Sequence, residues 1–326
     1  MKAVRYHEHG GPDVFRVEDV PEPTAGPGQV VLRVKAAALN HVEVDHREGV
    51  SRFPITMPHI GGIEFVGEVA SCGEGVSGWS AGDRVTPYLL GSTGQFLGID
   101  SPGGFAEYVA VQAQSLVRIP DGVGWEDAAA TQVAFGTAFQ MLFNRAKLRI
   151  GETVMVNSVG SGIGSAAVQL AKLSGAYVIG NSSGDAKLAK AKEFGMDVGI
   201  NYKTQDLVAE VQKATGGKGV DVVFEHVGGE MFGKSLEALA WSGRVVTCGG
   251  HAEEVVPFDI IPFFRGQKSV IGSFVYDKDE FETCLTLVAR GQLKPQVDSV
   301  YSLDDTADAF RRLESREHFG KVVIKP

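Results

Sequence analysis

The chain reads as an α/β protein: a doubly wound parallel sheet with helices on its faces, joined to a second domain of short strands. Three observations predict this. At roughly 150 residues per domain, 326 residues make about two domains. The first third consists of short apolar runs punctuated by Gly and Pro, whereas after about Gly124 strand-like and helix-like segments alternate. A strand that runs into a Gly-rich turn and then a helix opens the alternating part.

In the first part, Val30, Leu32 and Val34 alternate with Val31, Arg33 and Lys35, the period of a half-buried strand. EFVGEV (64–69) and FAEYVAV (105–111) are further strands, and many short strands with such turns suggest a barrel-like β domain. Beyond Gly124, Phe135, Ala138, Phe139, Leu142 and Phe143 recur at helical spacing. Strands are then expected at 153–157, 177–179, 198–201, 221–224, 244–247 and 269–274. Helices fill the gaps at 162–174, 185–194, 204–214, 230–240 and 258–266. Six strands with helical crossovers make two βαβαβ halves, the doubly wound (Rossmann-like) dinucleotide fold. Two more helices near 279–290 and 304–314 precede a last strand at 321–324.

Composition excludes several classes. Asp and Glu outnumber Lys and Arg by 40 to 31, for a formal charge of −9, which disfavours non-specific binding to nucleic acid or an anionic membrane. Cys72, Cys248 and Cys284 lie far apart, so neither a CxxC pair nor a four-cysteine zinc set can be built, and a reducing compartment is the simpler reading. No stretch is long and apolar enough for a signal peptide or a membrane helix, so a cytoplasmic protein is expected.

The turn after the 153–157 strand is SVGSGIG (158–164). Its glycines let backbone approach a pyrophosphate, and the helix behind it offers free N–H groups at the positive end of its dipole. Ser158, Gly160, Ser161, Gly162, Ile163 and Gly164 are therefore expected to bind the cofactor. The match to GxGxxG is incomplete, since Val159 and Ser161 stand where two of the glycines belong. The end of the second strand selects the nicotinamide cofactor, because an NAD site usually places an acid there for the ribose hydroxyls. Residues 181–183 contain none. Ser182 and Ser183 offer hydroxyls and Lys187 a cation to a 2′-phosphate, which favours NADPH. Asp185 is the counter-evidence, unless it only favours the first turn of its helix.

The segments VKAAALNH (34–41), GGIEFVGEV (61–69), AGDRV (81–85), GGFAEYV (103–109) and LAKAKEFG (188–195) resemble the medium-chain dehydrogenase/reductase superfamily along essentially the whole chain. The resemblance implies a GroES-like β-barrel catalytic domain (1–125 and 268–326), a Rossmann-like NADPH-binding domain (126–267) and a cofactor in the cleft between them. The positions matching the catalytic zinc ligands of that superfamily are Asn40, Ile63 and Val133, none a good zinc donor, and the stretch 86–103 is too short and cysteine-free for a structural-zinc lobe. No metal is therefore expected. The zinc-free pattern is similar to the quinone oxidoreductase (zeta-crystallin-like) branch. It implies catalytic roles for Asn40, Glu43 and Arg47, with Gly49 following, and cofactor contacts from Lys187 and from Tyr202 of the segment INY (200–202). Gly249, Phe274 and Lys321 complete the expected cofactor set. Asp45 replaces a tyrosine common in the branch, which changes the substrate pocket.

Without zinc, hydrogen-bond donors worth about 3 kcal/mol each must replace a Lewis acid, so a conjugated acceptor such as a quinone or an α,β-unsaturated carbonyl is the expected substrate. Asn40 is expected to donate to the substrate oxygen or to hold substrate and cofactor in register, with the proton coming from solvent or a cofactor hydroxyl. Arg47 can bind a carboxylate or phosphate on the substrate or form a surface salt bridge. His41, Asp45, His46 and His59 are ligand types, but in a loop they read more simply as a polar wall. The rival functions are an enoyl-thioester or biosynthetic enone reductase and a non-enzymatic, crystallin-like cofactor-binding protein. A homodimer is expected by analogy, with 269–275 as an edge strand pairing across a two-fold axis.

Overall fold

The computed structural model describes residues 1–90 and 95–326. Part of the 86–103 segment, where a structural-zinc lobe was sought in the sequence, therefore lies outside the described residues. The chain packs into two compact units, Met1–Gln132 with Lys294–Pro326, and Val133–Leu293.

The first unit opens with the antiparallel pair β1 (Lys2–Arg5) and β2 (Arg16–Asp19). Strand β3 (Gln29–Ala38) is the spine of the larger sheet, which also takes in β4 (Phe65–Cys72), β5 (Arg84–Pro87), β6 (Tyr108–Gln112) and β7 (Leu116–Arg118). β3 does not follow the alternation read from its sequence, because Val31 is as buried as Val30 and Leu32. The reason is its central place: β4 and β6 both pair with it, and past Gln29 Arg33 and Lys35 reach outward, Arg33 to the Tyr108 hydroxyl at 3.1 Å and Lys35 to Glu68 at 3.0 Å.

In the second unit six parallel strands follow: β8 (Thr153–Val156), β9 (Tyr177–Ser182), β10 (Val198–Asn201), β11 (Val220–Glu225), β12 (Leu239–Thr247) and β13 (Ser269–Gly272). Their order is β10-β9-β8-β11-β12-β13. The order reverses at β8, and in such sheets ligands bind outside the carboxyl ends of the strands at that switch point. The strands are apolar through and through (Val154, Met155, Val178, Ile179, Val222, Val223, Val245 and Val246 are all buried), as a sheet covered on both faces requires. The helix over 132–139 continues as a π-helical segment, Gln140–Arg145.

The chain then returns to the first unit. β14 (Val297–Ser302) pairs with β15 (Lys321–Lys325), and β15 lies antiparallel to β3, with Val323 opposite Ala38. The second unit thus runs past the expected boundary at 267, because β13 is the sixth strand of its sheet and the helix Lys278–Ala289 stays with it. Among the described residues no helix is long and apolar enough to cross a membrane.

Candidate functional site

In the second unit the turn 158–161 leaves β8 at the switch point and enters the helix Gly162–Leu173. Ser161 caps this helix, its hydroxyl oxygen accepting from the Gly164 N–H at 3.0 Å and its O–H donating to the Ser158 carbonyl at 2.9 Å. The amides of Gly162 and Ile163 are first-turn groups with no intrahelical acceptor, the donors an anion uses. Ser158 sits in the left-handed region at φ 53°, and the Asn181 carboxamide accepts its N–H at 3.2 Å. The turn has no room to spare. A Cβ on Gly164 would fall 2.3 Å from the Ser158 carbonyl oxygen, and one on Gly160 would fall 2.5 Å from Cδ of Lys187. The aliphatic part of Lys187 therefore passes directly over Gly160.

The neighbouring positions separate into two groups. Ser183 is exposed and Tyr202 half-buried, its N–H donating to the Ser182 carbonyl at 3.2 Å. Ser182 itself is 3% exposed, so it shapes the strand end rather than offering a hydroxyl outward. Asp185 is engaged within the protein: its carboxylate accepts from the Asn201 side-chain amide at 2.7 Å, and it stands in the first turn of the helix Asp185–Lys192. Gly249 is half-buried beyond β12, its carbonyl accepting from the Thr247 hydroxyl at 3.2 Å, while Phe274 is exposed just past β13.

The sequence reading missed a buried polar layer beneath the turn. Asn157 donates to the Ser235 hydroxyl at 2.9 Å and accepts from Asn181 at 2.6 Å, and His226 Nε2 lies 3.0 Å from the Asn157 carbonyl. Glu225 takes the N–H groups of Val227 and Gly228, and burial raises its carboxyl above the usual range. The signal was present: the buried runs of β8, β9, β11 and β12 each end in a polar residue, Asn157, Asn181, Glu225 and Thr247.

In the first unit a second polar cluster gathers around Asn40, which ends the β3 segment and caps the helix His41–Glu48. Residues 41–48 are thus helical, not the loop read from sequence. The Asn40 amide is fully engaged: Nδ2 donates to the Ala38 carbonyl at 3.2 Å and to Glu64 Oε2 at 3.1 Å, and Oδ1 accepts from Lys321 Nζ at 2.7 Å. Lys321 also pairs with Glu64 at 2.8 Å. Both Asn40 side-chain protons are thus taken within the first unit, and Lys321, held by Asn40 and Glu64, keeps a third proton with no partner among the described residues. Glu43 accepts from the Asn40 N–H and the Ile63 N–H, both at 2.8 Å. Burial raises its carboxyl to about 7, against the lowering effect of those amides and of Lys321. Lys321, expected among the cofactor contacts, thus stands with Asn40 and Glu64.

Arg47 is not in this cluster. It is wholly buried, donating to the Gly10 carbonyl at 2.9 Å, Glu48 at 2.8 Å and Glu314 at 2.5 Å, under the rings of Phe15 and Phe310. Each of the three guanidinium nitrogens donates within the first unit, in a buried ion pair rather than a surface one.

Among the described residues no three His, Cys, Asp or Glu are arranged to hold a metal ion. His59 Nε2 lies 2.9 Å from the Gly98 carbonyl, and Asn40, Ile63 and Val133 remain poor donors where the superfamily's zinc enzymes place ligands. The residues present do not fit that metal.

A doubly wound sheet with a Gly-rich turn at its switch point, joined to a β-rich unit that both ends of the chain build, defines a nicotinamide-dependent dehydrogenase class. The alcohol dehydrogenase GroES-like domain family matches residues 26–121, and the zinc-binding dehydrogenase family matches 162–290. The chain is 31% identical to the synaptic vesicle membrane protein VAT-1 homolog of Rattus norvegicus, over 97% of this chain and 82% of the relative. It is 30% identical to the quinone oxidoreductase of Mus musculus, over 99% and 97%. A crystal structure of an NAD-dependent alcohol dehydrogenase superposes with a TM-score of 0.95 at 37% identity, covering 100% of both chains. The chain belongs to the medium-chain dehydrogenase/reductase superfamily. Within it, the chain falls in the quinone oxidoreductase-like branch.

Proposed function

We propose that the protein is a zinc-independent, NADPH-dependent oxidoreductase that reduces a quinone or an α,β-unsaturated carbonyl compound. The observation that carries the cofactor choice is Lys187 lying over Gly160 while Asp185 is held by Asn201. The lysine stem runs beside the turn, and the carboxylate of Asp185, the acid that would favour NAD, is held by Asn201. The turn also fits the group sterically, since its two tight glycines leave space that any Cβ would fill.

When bound, the reduced nicotinamide supplies a hydride. The chain's own residues supply charge stabilisation. Lys321, held by Asn40 and Glu64, presents its remaining N–H to the substrate oxygen. A single ammonium offers less than a Lewis-acid metal, so a conjugated acceptor that spreads the developing charge suits this site better than a simple ketone. We further propose that the protein acts on a small molecule as a homodimer in the cytoplasm, without a membrane or nucleic-acid partner. The edge position of β13 and the exposed Val270 and Phe274 support the dimer.

The test is a pair of binding titrations with NADPH and NADH, followed by a panel of quinones, enones, enoyl thioesters and alcohols. NADPH is expected to bind at least tenfold more tightly, and Lys187→Ala to lose about tenfold in NADPH affinity with NADH unchanged, the value of one charge-assisted contact. Equal affinities in the wild type, in keeping with the NAD-dependent alcohol dehydrogenase it resembles, sink the cofactor assignment. Turnover confined to thioesters reassigns the substrate, and no turnover on any compound leaves a binding protein.

A further inference from the structure

Beside Glu43, in the first unit, lies a small cavity that the proposed reaction does not use. Its walls include Phe105 and Phe310, together with Tyr6, Glu43, His46 and His59. It offers about 10 Å³ to the centre of a water molecule, the size of a single water site. His46 is 2% exposed, and its buried Nε2 has no hydrogen-bond partner among the described residues. A buried polar nitrogen left unpaired costs free energy, and a cavity of this size beside a carboxyl provides the means to pair it.

We propose that this cavity binds one internal water bridging His46 Nε2 to the Glu43 carboxyl, and that Glu43 keeps an exchangeable proton there and acts as a positioning residue for Asn40. The charge environment suits the role. Burial, with His59 nearby, lowers His46 to about 4, so at neutral pH it is an uncharged imidazole that exchanges hydrogen bonds with water at Nε2. Lys321 on β15 and Glu64 before β4 act on Glu43 directly, Tyr6 after β1, His46 on its own helix and His59 in the following loop line the cavity with it, and Arg47 faces Tyr6. Burial raises Glu43 to about 7, so its proton is exchangeable near neutrality. Ionised Glu43 grips the Asn40 N–H and attracts Lys321, and protonated Glu43 relaxes both. The positioning role rests on the reading of Asn40 and Lys321 given above, whereas the water and the proton do not.

The experiment is a pH titration of the full chain by infrared difference spectroscopy, without nucleotide or carbonyl compound, paired with a high-resolution crystal structure. A protonated-carboxyl band titrating near neutral pH is expected in the wild type, absent in Glu43→Gln. His46→Phe, which keeps the ring and removes its nitrogens, is expected to move the midpoint up by about one pH unit, because the ionised carboxylate loses the bridging donor. Density for one water within hydrogen-bond distance of His46 Nε2 is expected in the crystal. A band that survives in Glu43→Gln, a midpoint unmoved in a folded His46→Phe variant, or a dry cavity overturns the proposal. Failure of the quinone reading would appear only in the substrate panel, so the two fail separately.

Discussion

Lys321 and Glu64 form an ion pair that is 7% exposed on one side and 0% on the other. Removing one partner of a buried pair strands the other charge. Lys321→Met is therefore expected to cost about 3 kcal/mol in urea unfolding, and the double variant Lys321→Met with Glu64→Gln to recover most of it. A second prediction concerns Glu43. Its folded pKa is raised to about 7 from an ordinary 4.5, so the folded state holds a proton that the unfolded chain releases between those values. This group therefore makes the fold less stable as pH rises from 4.5 to 7. His46 and His226 work oppositely: burial lowers each to about 4 from 6.5, so their stabilisation is full above pH 6.5 and is lost as pH falls to 4. Glu43→Gln should gain on the wild type by about 3 kcal/mol between pH 4 and pH 8, read from denaturant midpoints at each pH. An unchanged difference across that range would contradict the burial of the carboxyl.

At the scale of elements, the two tight glycines of the turn make a contrast. A Cβ on Gly164 meets the Ser158 backbone carbonyl, which cannot move without breaking the cap, whereas one on Gly160 meets only the flexible chain of Lys187. Gly164→Ala should cost about 2 kcal/mol or more in thermal unfolding and weaken both nucleotides. Gly160→Ala should keep its stability and lose chiefly the preference for NADPH, as measured by calorimetric titration. The same elements show what could be read in advance. Strands β8 to β13 were legible because unbroken Val, Ile and Met runs bounded by glycines have few other fates in a chain of this length. The helix His41–Glu48 was not, because its buried residues are Glu43, His46 and Arg47, and a helix that buries polar groups has no apolar stripe to detect. The Gly-rich turn between β8 and its helix was legible from its glycines and the helix behind it. The Lys321–Asn40–Glu64 cluster was beyond local reasoning, since its members come from three separated segments and only the β15–β3 and β3–β4 pairings bring them together. The burial of Arg47 was hidden for a similar reason: Glu314, its ion-pair partner, is 267 positions away.

For the molecule as a whole, β13 ends the six-stranded sheet with Val270 exposed and Phe274 just beyond it. Val270→Lys places a charge on that edge, a device natural sheets use against pairing. Light scattering should report a particle of twice 34.7 kDa for the wild type and 34.7 kDa for the variant. Equal masses would show that this edge is not where two copies meet. The return of the chain to its first unit bears on how the enzyme is made. Lys321 bonds a residue 281 positions earlier, and the whole nucleotide-turn unit lies between them. During synthesis the ribosome emits the whole second unit before it emits Lys321, so the polar cluster around Asn40 closes only after that unit has emerged.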